Sequence, residues 1–315
     1  MAKEKPLLSI VITSYTLERL KDIFELLHSV PSQTYPNIEI IFVAERSRQL
    51  YDRVKAYIDE EGMPNVNIIF NEGEPGVSVA RNLGIKHAKG SIISFIDDDA
   101  LPFPDWAEKM VKTYDNDSII GVTGPAFPLW EEESMAWFPE EFHWLISCTA
   151  WADWSELTEV RNVWGMNMSF RREAFEQCRL FSTTFGLNEG KGAVAEENDL
   201  SVRVRRETGK CIVYNPEVEI RHKVYKHRLT WNFIARRSYQ IGRSRRILSR
   251  LHSRADNSAY PLKVEQELLK RIFRRLLPTI LVGFFHNPLS AWRRFSVTVI
   301  ALFFVALGYF LGKGE

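Results

Sequence analysis

Three consecutive aspartates stand out among the residues that can do chemistry. Asp97, Asp98 and Asp99 follow directly on the apolar run 91–96. Adjacent carboxylates raise each other's pKa unless a cation lies among them. Oxygen ligands suit a hard divalent ion such as Mg²⁺ or Mn²⁺, which commonly bridges to substrate phosphates. The pattern therefore predicts a metal site for a phosphate-bearing substrate, and a solvated acidic turn is the simpler alternative.

The elements that must position these aspartates alternate along the first hundred residues. Short apolar runs predict strands at 8–13, 38–43, 66–70 and 91–96, and helical spacing predicts helices at 17–29, 49–60 and 77–88. Continuous apolar strands separated by amphipathic helices are typical of a mostly parallel sheet covered on both faces. We therefore predict an α/β fold, in which ligands bind at the carboxyl ends of the strands.

The middle of the chain follows a looser pattern. It predicts a helix at 106–114, a strand followed by a helix at 167–175, a helix at 196–208 and a strand at 211–214. Six of the nine tryptophans fall between Trp130 and Trp164. Tryptophan stacks on sugar rings and favours membrane interfaces, and it also builds apolar clusters. The stretch therefore predicts either a surface for sugar or membrane or an apolar cluster.

Composition excludes several classes of protein. The 315 residues are 45% hydrophobic and 26% charged, which excludes a disordered or collagen-like chain. Forty-one basic residues balance forty acidic ones, so the average charge indicates no partner. The three scattered cysteines form neither a disulfide framework nor a zinc site, and they indicate a reducing compartment.

The charge is nevertheless distributed unevenly. Between Arg221 and Arg275 there are sixteen lysines or arginines and only three acids. Segment 230–251 predicts a basic amphipathic helix that contacts anionic headgroups or a lipid pyrophosphate through Arg236, Arg237, Arg243, Arg245, Arg246 and Arg250. Nucleic acid is the rival partner for such a helix, and the apolar tail downstream favours lipid.

The tail predicts attachment to a membrane. Residues 296–312 contain no charge and predict a transmembrane helix, with a buried core helix as the alternative. Segment 276–285 is too short to span, so we expect it to be interfacial or re-entrant. Arg293 and Arg294 precede the predicted span, which predicts a cytoplasmic catalytic domain with Glu315 on the far side of the cell membrane.

Several ordered motifs resemble one known family, the family 2 glycosyltransferases with the GT-A fold. They are Gly76-Val-Ser-Val-Ala-Arg81-Asn82, Phe95-Ile-Asp97-Asp98-Asp99, Gly165-Met-Asn167, Glu196-Glu197-Asn198-Asp199-Leu200 and His222. The resemblance covers about residues 7–225, and the strings at 97–106 and 138–145 are similar to archaeal glucosyl-dolichyl-phosphate glucuronosyltransferases. It implies a Rossmann-like catalytic domain at 1–225, a basic helical segment at 226–275 and a membrane-associated tail at 276–315.

The resemblance implies a binding site for a nucleotide-sugar. Thr13, Ser14 and Tyr15 would lie against the nucleotide, and Arg81 would face the diphosphate or ribose unless it is an ordinary surface arginine. The family's second strand ends in an acidic pair, which here is reduced to Glu45. Because uracil offers an N–H donor to Glu45, this residue favours a UDP-linked donor.

The resemblance also implies positions for the metal and sugar contacts, six in all. Asp97 and Asp99 correspond to its DxD motif, in which Asp97 contacts the ribose or the metal and Asp99 binds Mn²⁺ or Mg²⁺. Asp98 can share either role, and His222 would be a last metal or diphosphate contact unless it is a plain core histidine. Gly165 and Asn167 would form the floor beside the donor sugar, with a plain strand-entry glycine as the alternative.

Inverting sugar transfer needs a general base for the acceptor hydroxyl. The family places this base in a Glu-Asp pair, which reads Glu196-Glu197 here. Alignment assigns the role to Glu197, and Glu196 remains an alternative. Two acids at a helix start also stabilise the helix dipole, which is a purely structural reason for them.

The resulting hypothesis is an inverting, metal-dependent glycosyltransferase. It would move a sugar from a UDP-linked donor, with UDP-glucuronate as a candidate, to a lipid-linked saccharide at the membrane. A polyprenyl phosphate acceptor is an alternative, but this anion needs little deprotonation, so a retained base favours a sugar hydroxyl. A membrane-anchored, non-catalytic nucleotide-sugar binder is the second alternative. No nucleic-acid partner is expected, and a homo-oligomer is left open.

Overall fold

The computed structural model describes residues 5–149, 154–183, 196–252 and 268–312. The chain divides into two compact units. The first comprises Met1–Ala126 with Trp154–His222, and the second comprises Phe127–Asp153 with Lys223–Glu315. The three-part division expected from the sequence is a different one and stays a prediction.

The first unit alternates strands and helices. Its strands are β1 (Leu8–Ser14), β2 (Ile38–Glu45), β3 (Val66–Asn71), β4 (Ile92–Ile96), β5 (Ala100–Pro102), β6 (Ile119–Thr123), β8 (Thr158–Val160), β9 (Asn167–Arg171) and β10 (Cys211–Tyr214). Its helices are α1 (Leu20–Ser29), α2 (Arg48–Glu60), α3 (Val77–His87), α4 (Trp106–Thr113), α5 (Arg172–Cys178) and α6 (Glu196–Thr208). Strands β7 (Ala126–Trp130) and β11 (Ile220–Val224) carry the chain from one unit to the other.

The eight-stranded sheet has the order β3-β2-β1-β4-β9-β6-β10-β8. Strand β1 pairs in parallel with β2 and β4, and β2 pairs in parallel with β3. Strand β9 lies antiparallel between β4 and β6. The carboxyl ends of β1 to β4 therefore meet at one edge, and the predicted α/β fold with a mostly parallel sheet is confirmed.

Both faces of this sheet are covered, as the apolar strands predict. Ile10 and Ile12 of β1 belong to the apolar core on one face, and Val11 between them belongs to the core on the other. The covering helices bury only one side each. In α2, Leu50, Val54 and Ile58 recur at intervals of four residues and are buried.

The second unit is mostly helical. It contains 3₁₀ segments Glu133–Trp137, Glu140–Ile146 and Lys226–Leu229, then α7 (Trp231–His252), a π-helical turn (Ile272–Leu276), α8 (Leu277–His286) and α9 (Pro288–Leu311). Helix α7 matches the predicted basic helix to within a residue at each end. Helix α9 begins well before 296, because the Asn287 side chain caps it and Pro288 occupies its first position.

Helix α9 is long and apolar enough to cross a membrane, and it is the single such helix in the described ranges. Only 22% of its most apolar stretch is buried. A helix buried in a soluble core would be covered much more completely. The helix is therefore largely uncovered within the described chain, which makes it a candidate for membrane attachment.

The tryptophan-rich stretch contributes to apolar clusters in both units. Trp130, Trp137 and Trp144 pack against the apolar core of the second unit. In the first unit, the rings of Trp154 and Trp164 stack with centroids 6.0 Å apart. These contacts support the apolar-cluster interpretation for the five described tryptophans of this stretch, and Trp151 lies outside the described residues.

Candidate active site

The three aspartates lie at the carboxyl edge of the sheet, but their side chains diverge. Asp98 pairs with Arg19, whereas Asp97 and Asp99 face His222. The imidazole Nε2 lies 3.1 Å from Asp99 Oδ1 and 3.5 Å from Asp97 Oδ2. One ligand atom from each of Asp97, Asp99 and His222 falls within 4.8 Å of the others. We call these three residues the carboxylate–histidine cluster.

Strand pairing explains why His222 reaches the aspartates. In the antiparallel register of β11 with β5, His222 lies opposite Ala100, the residue that follows Asp99. His222 and Asp99 are almost fully buried, and the Asp97 side chain is 35% exposed. The cluster is thus buried at Asp99 and His222 and partly open to solvent at Asp97.

The donor atoms of the cluster fit a divalent cation. Two carboxylate oxygens and one imidazole nitrogen form a mixed oxygen and nitrogen set, which suits Mn²⁺. Their spacing allows all three to reach one ion, as the distances above show. The predicted grouping of Asp97, Asp99 and His222 therefore agrees with the geometry of the folded chain.

Asp98 has a different environment from its neighbours. Burial raises the pKa of its carboxyl to about 6, against the opposing charge of Arg19. Arg19 Nη1 also lies 3.2 Å from Asp99 Oδ2, so this one guanidinium holds two of the three aspartates. Sequence reasoning missed Arg19, because it lies 79 residues before Asp98 and no motif marks it.

Asp97 lies between two positively charged or protonatable groups. Burial alone would raise the pKa of its carboxyl, but the hydrogen bond and charge of His222, with the charge of Arg81, bring the pKa below its ordinary value. Arg81 Nη2 is 3.7 Å from Asp97 Oδ1. Asp97 is therefore ionised and available to a ligand at neutral pH.

Arg81 connects the aspartate edge to α6. It is buried on α3, and its Nη1 donates to Glu196 Oε1 at 3.2 Å. Its Nη2 donates to the carbonyl oxygen of Gly165 at 3.4 Å. A Cβ at position 165 would lie 3.2 Å from the same Nη2, so glycine leaves room for this guanidinium. Arg81 is not the ordinary surface arginine of the simpler interpretation.

The two glutamates of α6 differ in environment. Glu196 is 6% exposed and paired with Arg81, whereas the neighbouring Glu197 is half-buried. Successive residues of a helix point about 100° apart, so the two carboxylates cannot both face Arg81 in the same way. The structure thus gives Glu196 a partner in the site and leaves the role of Glu197 as a prediction.

The residues that we predict to contact the nucleotide lie at the ends of two adjacent parallel strands. Thr13 and Ser14 end β1, Tyr15 follows them and is 68% exposed, and Glu45 ends β2. Burial raises the pKa of Glu45, opposed by a hydrogen bond from the Gly76 N–H. Parallel pairing of β1 with β2 places these ends at the same edge as the aspartates.

Asn167 has an unexpected environment. Its side chain is fully buried, and its Oδ1 accepts the indole N–H of Trp106 at 2.9 Å. Its Nδ2 donates to the carbonyl oxygen of Val218 at 2.7 Å. These contacts use both ends of the amide and favour a positioning role. The predicted contact of Asn167 with the donor stays untested.

The arginines predicted to contact lipid lie in the second unit, on α7. Arg236 is exposed, and the half-buried ones are Arg237, Arg243, Arg245 and Arg246. Arg246 donates to the carbonyl oxygens of Tyr309, at 3.1 Å, and Phe310 near the end of α9. Its guanidinium is therefore partly used within the protein. The side chain of Arg250 lies outside the described residues.

Comparison with known proteins agrees with this architecture. The family described as "Glycosyl transferase family 2" matches residues 9–179. A glucosyl-dolichyl phosphate glucuronosyltransferase of Haloferax volcanii is 32% identical over 256 residues, which cover 80% of this chain and 81% of the relative.

Solved structures show the same fold. A mannosyltransferase from Pyrobaculum calidifontis in complex with GDP-Man and Mn²⁺ superposes with a TM-score of 0.66 at 18% identity, covering 99% of this chain and 89% of that one. GalNAc-T7 with UDP, GalNAc and Mn²⁺ gives a TM-score of 0.56 at 15% identity, covering 85% of this chain and 54% of that one. The sheet, the carboxylate–histidine cluster and the sequence match lead to one conclusion: the chain is a GT-A glycosyltransferase and belongs to glycosyltransferase family 2.

Proposed function

We propose that this enzyme is an inverting, divalent-metal-dependent transferase that moves a sugar from a UDP-linked donor to a lipid-linked saccharide. The carboxylate–histidine cluster carries the proposal, because it lies at the edge where the strand ends β1 and β2 also present their predicted nucleotide contacts. The similarity to a glucuronosyltransferase makes UDP-glucuronate the first donor to test.

The donor's diphosphate is assigned to the cluster. Asp97, Asp99 and His222 would hold Mn²⁺ or Mg²⁺, which offsets the charge that develops on the departing nucleoside diphosphate. Arg81 adds a second positive charge beside Asp97. Glu45, at the end of β2, would accept a base N–H, which supports uracil.

The acceptor's proton is assigned to Glu197. As the acceptor oxygen forms its bond to the sugar carbon, the bond from that carbon to the phosphate oxygen breaks and Glu197 takes the hydroxyl proton. Glu196 is the poorer choice because Arg81 already donates to it.

A lipid-linked acceptor agrees with the composition of the second unit. Its α7 and its final helices are rich in arginine and apolar residues, and α9 is largely uncovered. The relative's name supplies glucosyl-dolichyl phosphate as the acceptor to try first. We assign the enzyme to the cytoplasmic face of the cell membrane, because the anionic lipids of that leaflet attract the arginines that precede the apolar run.

Release of nucleotide by the purified, lipid-reconstituted enzyme tests the proposal. UDP- and GDP-sugars would be offered with Mn²⁺ or Mg²⁺ and with either glucosyl-dolichyl phosphate or dolichyl phosphate. We expect metal-dependent UDP release that glucosyl-dolichyl phosphate stimulates. Stimulation by dolichyl phosphate alone would identify an enzyme that charges the bare lipid, and GDP release would contradict the assignment of Glu45.

A further inference from the structure

Helices α7 and α9 of the second unit run side by side in the same direction. Near the start of α7, Ile234 belongs to the same buried cluster as Val297 and Ala301 of α9. Near the end of α7, Arg246 reaches the carbonyl oxygens of Tyr309 and Phe310. Contacts thus advance along both helices together, which defines a parallel pair.

Two glycines bring the helices into close contact. A Cβ at Gly242 would lie 2.1 Å from the Val305 carbonyl oxygen, and a Cβ at Gly308 would lie 2.1 Å from the Tyr239 carbonyl oxygen. Only residues without a side chain allow two backbones to approach this closely. The pairing of α7 with α9 is therefore a built feature of the fold.

This pairing restricts how α9 can meet a membrane. If α9 crossed a bilayer, the parallel helix α7 would have to cross beside it. Of the six arginines on helix α7, at least five would then enter the hydrocarbon, namely Arg236, Arg237, Arg243, Arg245 and Arg246. Arginine within a bilayer core is expensive, and five of them on one helix are prohibitive. Crossing is therefore incompatible with the observed helix pair.

The opposite face of α9 is nevertheless apolar and uncovered. Buried positions such as Val297, Ala301 and Gly308 define one side, and the other side exposes large apolar residues along the whole helix. Trp292 is 58% exposed, Phe303 58% and Phe310 71%. Helix α8 adds further exposed apolar residues, namely Leu281, Val282 and Phe285. We call this surface of α8 and α9 the apolar face.

Charge indicates what covers the apolar face. Between Trp231 and Gly312 the described residues contain no acid, whereas arginines recur throughout. Arg293 is exposed on α9, Arg274 is exposed on the π-helical turn just before α8, and Arg236 is exposed on α7. Apolar side chains flanked by exposed arginines match the boundary between headgroups and acyl chains of an anionic lipid layer.

We propose that the second unit attaches the enzyme to one leaflet, with α9 lying in the plane of the bilayer on its apolar face and crossing nowhere. The chain end then stays on the same side as the catalytic unit, in place of the far side that the sequence predicts. This inference goes beyond the proposed function, because it depends only on the helical unit and not on any sugar donor or acceptor.

Labelling with a membrane-impermeant maleimide tests the location of the chain end. The variant Glu315→Cys would be compared with Lys86→Cys, an exposed position on α3, in sealed membrane vesicles, with the unsubstituted chain as background. We expect both cysteines to have the same ratio of labelling before and after detergent. Labelling of Glu315→Cys only after detergent, with Lys86→Cys labelled before it, would overturn the proposal.

Flotation with lipid vesicles tests the apolar face itself. We expect Phe303→Glu with Phe310→Glu to lower binding to phosphatidylglycerol vesicles by about tenfold or more. The control pair Gln49→Glu with Asn116→Glu adds the same charge at exposed sites of the first unit and should bind normally. Unchanged vesicle binding by the variant with both α9 substitutions would refute the proposal. If light scattering also showed that these substitutions convert a dimer to a monomer, the apolar face would be covered by a second copy of the chain.

Discussion

The guanidinium of Arg81 lies 3.2 Å from Glu196 Oε1 although 115 residues separate them in the chain. The same guanidinium lies 3.7 Å from Asp97 Oδ1. One buried side chain thereby connects the helix that carries the predicted base to the aspartate edge that carries the predicted metal site. Arg81 therefore contacts both ends of the predicted site.

Coupling between Arg81 and Glu196 is the first expectation. We expect Arg81→Lys and Glu196→Gln each to lower kcat/KM by roughly tenfold, because a lysine or an amide cannot keep all the contacts of the pair. Both changes break the same pair, so the loss of kcat/KM in the double variant should be much smaller than the product of the two single losses. Steady-state kinetics on the four proteins measures this cycle, and strictly multiplicative losses would contradict the coupling.

Metal binding should depend on Asp99 and His222 but much less on Asp98. We expect Asp99→Asn and His222→Ala to abolish measurable Mn²⁺ binding in isothermal titration calorimetry, because each removes one of three ligands. Asp98→Asn should retain most of the affinity, because Asp98 pairs with Arg19 instead.

The matched control for metal binding is Asp105→Asn. Asp105 lies close in sequence but is a surface residue paired with Lys109 at 2.8 Å. This variant should bind Mn²⁺ like the unsubstituted chain. Equal losses in Asp98→Asn and Asp99→Asn would show that the divergence of the aspartates does not persist when metal binds.

Substitution of the general base should lower kcat. We expect Glu197→Gln to lower kcat by roughly a hundredfold or more while the donor KM stays nearly unchanged, because the change removes proton transfer and not binding. Glu196→Gln makes the same chemical change one residue earlier, and we expect it to show only the roughly tenfold loss of kcat/KM given above. If the hundredfold loss of kcat belonged to Glu196→Gln alone, the base would be Glu196.

Asn167 should matter for folding. We expect Asn167→Ala to lower the free energy of unfolding by about 2–3 kcal/mol, because it leaves the buried Trp106 N–H and Val218 carbonyl without this partner. Asn116→Ala, at an exposed turn, should cost about 1 kcal/mol or less. Urea denaturation followed by fluorescence compares them. An unaltered unfolding midpoint with a raised donor KM would instead support the donor contact predicted from the sequence.

His143 should make the second unit sensitive to acid. Burial lowers the pKa of its imidazole to about 4. The unfolded chain takes up this proton near the ordinary pKa of about 6.5, whereas the folded chain does so only near 4. The neutral His143 therefore contributes fully to the free energy of unfolding above pH 6.5. This contribution, up to about 3 kcal/mol, is lost as the pH falls toward 4.

The variant His143→Phe tests this pH dependence. Phenylalanine keeps a ring beside Phe138 and Trp130 but cannot take up a proton. We expect its thermal unfolding midpoint to fall less than that of the unsubstituted chain between pH 7 and pH 4.5. His28→Gln, at an exposed position, should follow the unsubstituted chain. Parallel pH profiles for all three proteins would refute the assignment.

Local pattern was sufficient for much of the fold. Apolar runs and helical spacing predicted β1 to β4 and the helices between them to within about three residues, because β1, β2 and β4 are buried on both faces and the helices on one. The position of the aspartates followed from the same pattern, because residues after a parallel strand lie at one edge of the sheet.

Local sequence pattern could not predict the contacts between residues that lie far apart in the chain. Nothing near Leu17 marks Arg19 as the partner of Asp98, and nothing around Asn167 indicates that its amide is used by Trp106 and Val218. The family resemblance named His222, but only the register of β11 with β5 shows how it meets Asp99. Such contacts depend on which strands become neighbours, and single strands do not encode that locally.

The apolar tail shows most clearly what local pattern determines and what tertiary packing determines. The sequence by itself determined that α9 is an apolar helix and that α7 is a basic one, because composition and periodicity are local properties. Only the tertiary structure decided that the two pair in parallel, through Gly242 and Gly308. A helix that is free to cross a bilayer when alone loses that freedom when a neighbouring helix would carry its arginines into the hydrocarbon, and such a cost exists only once the two helices are packed together.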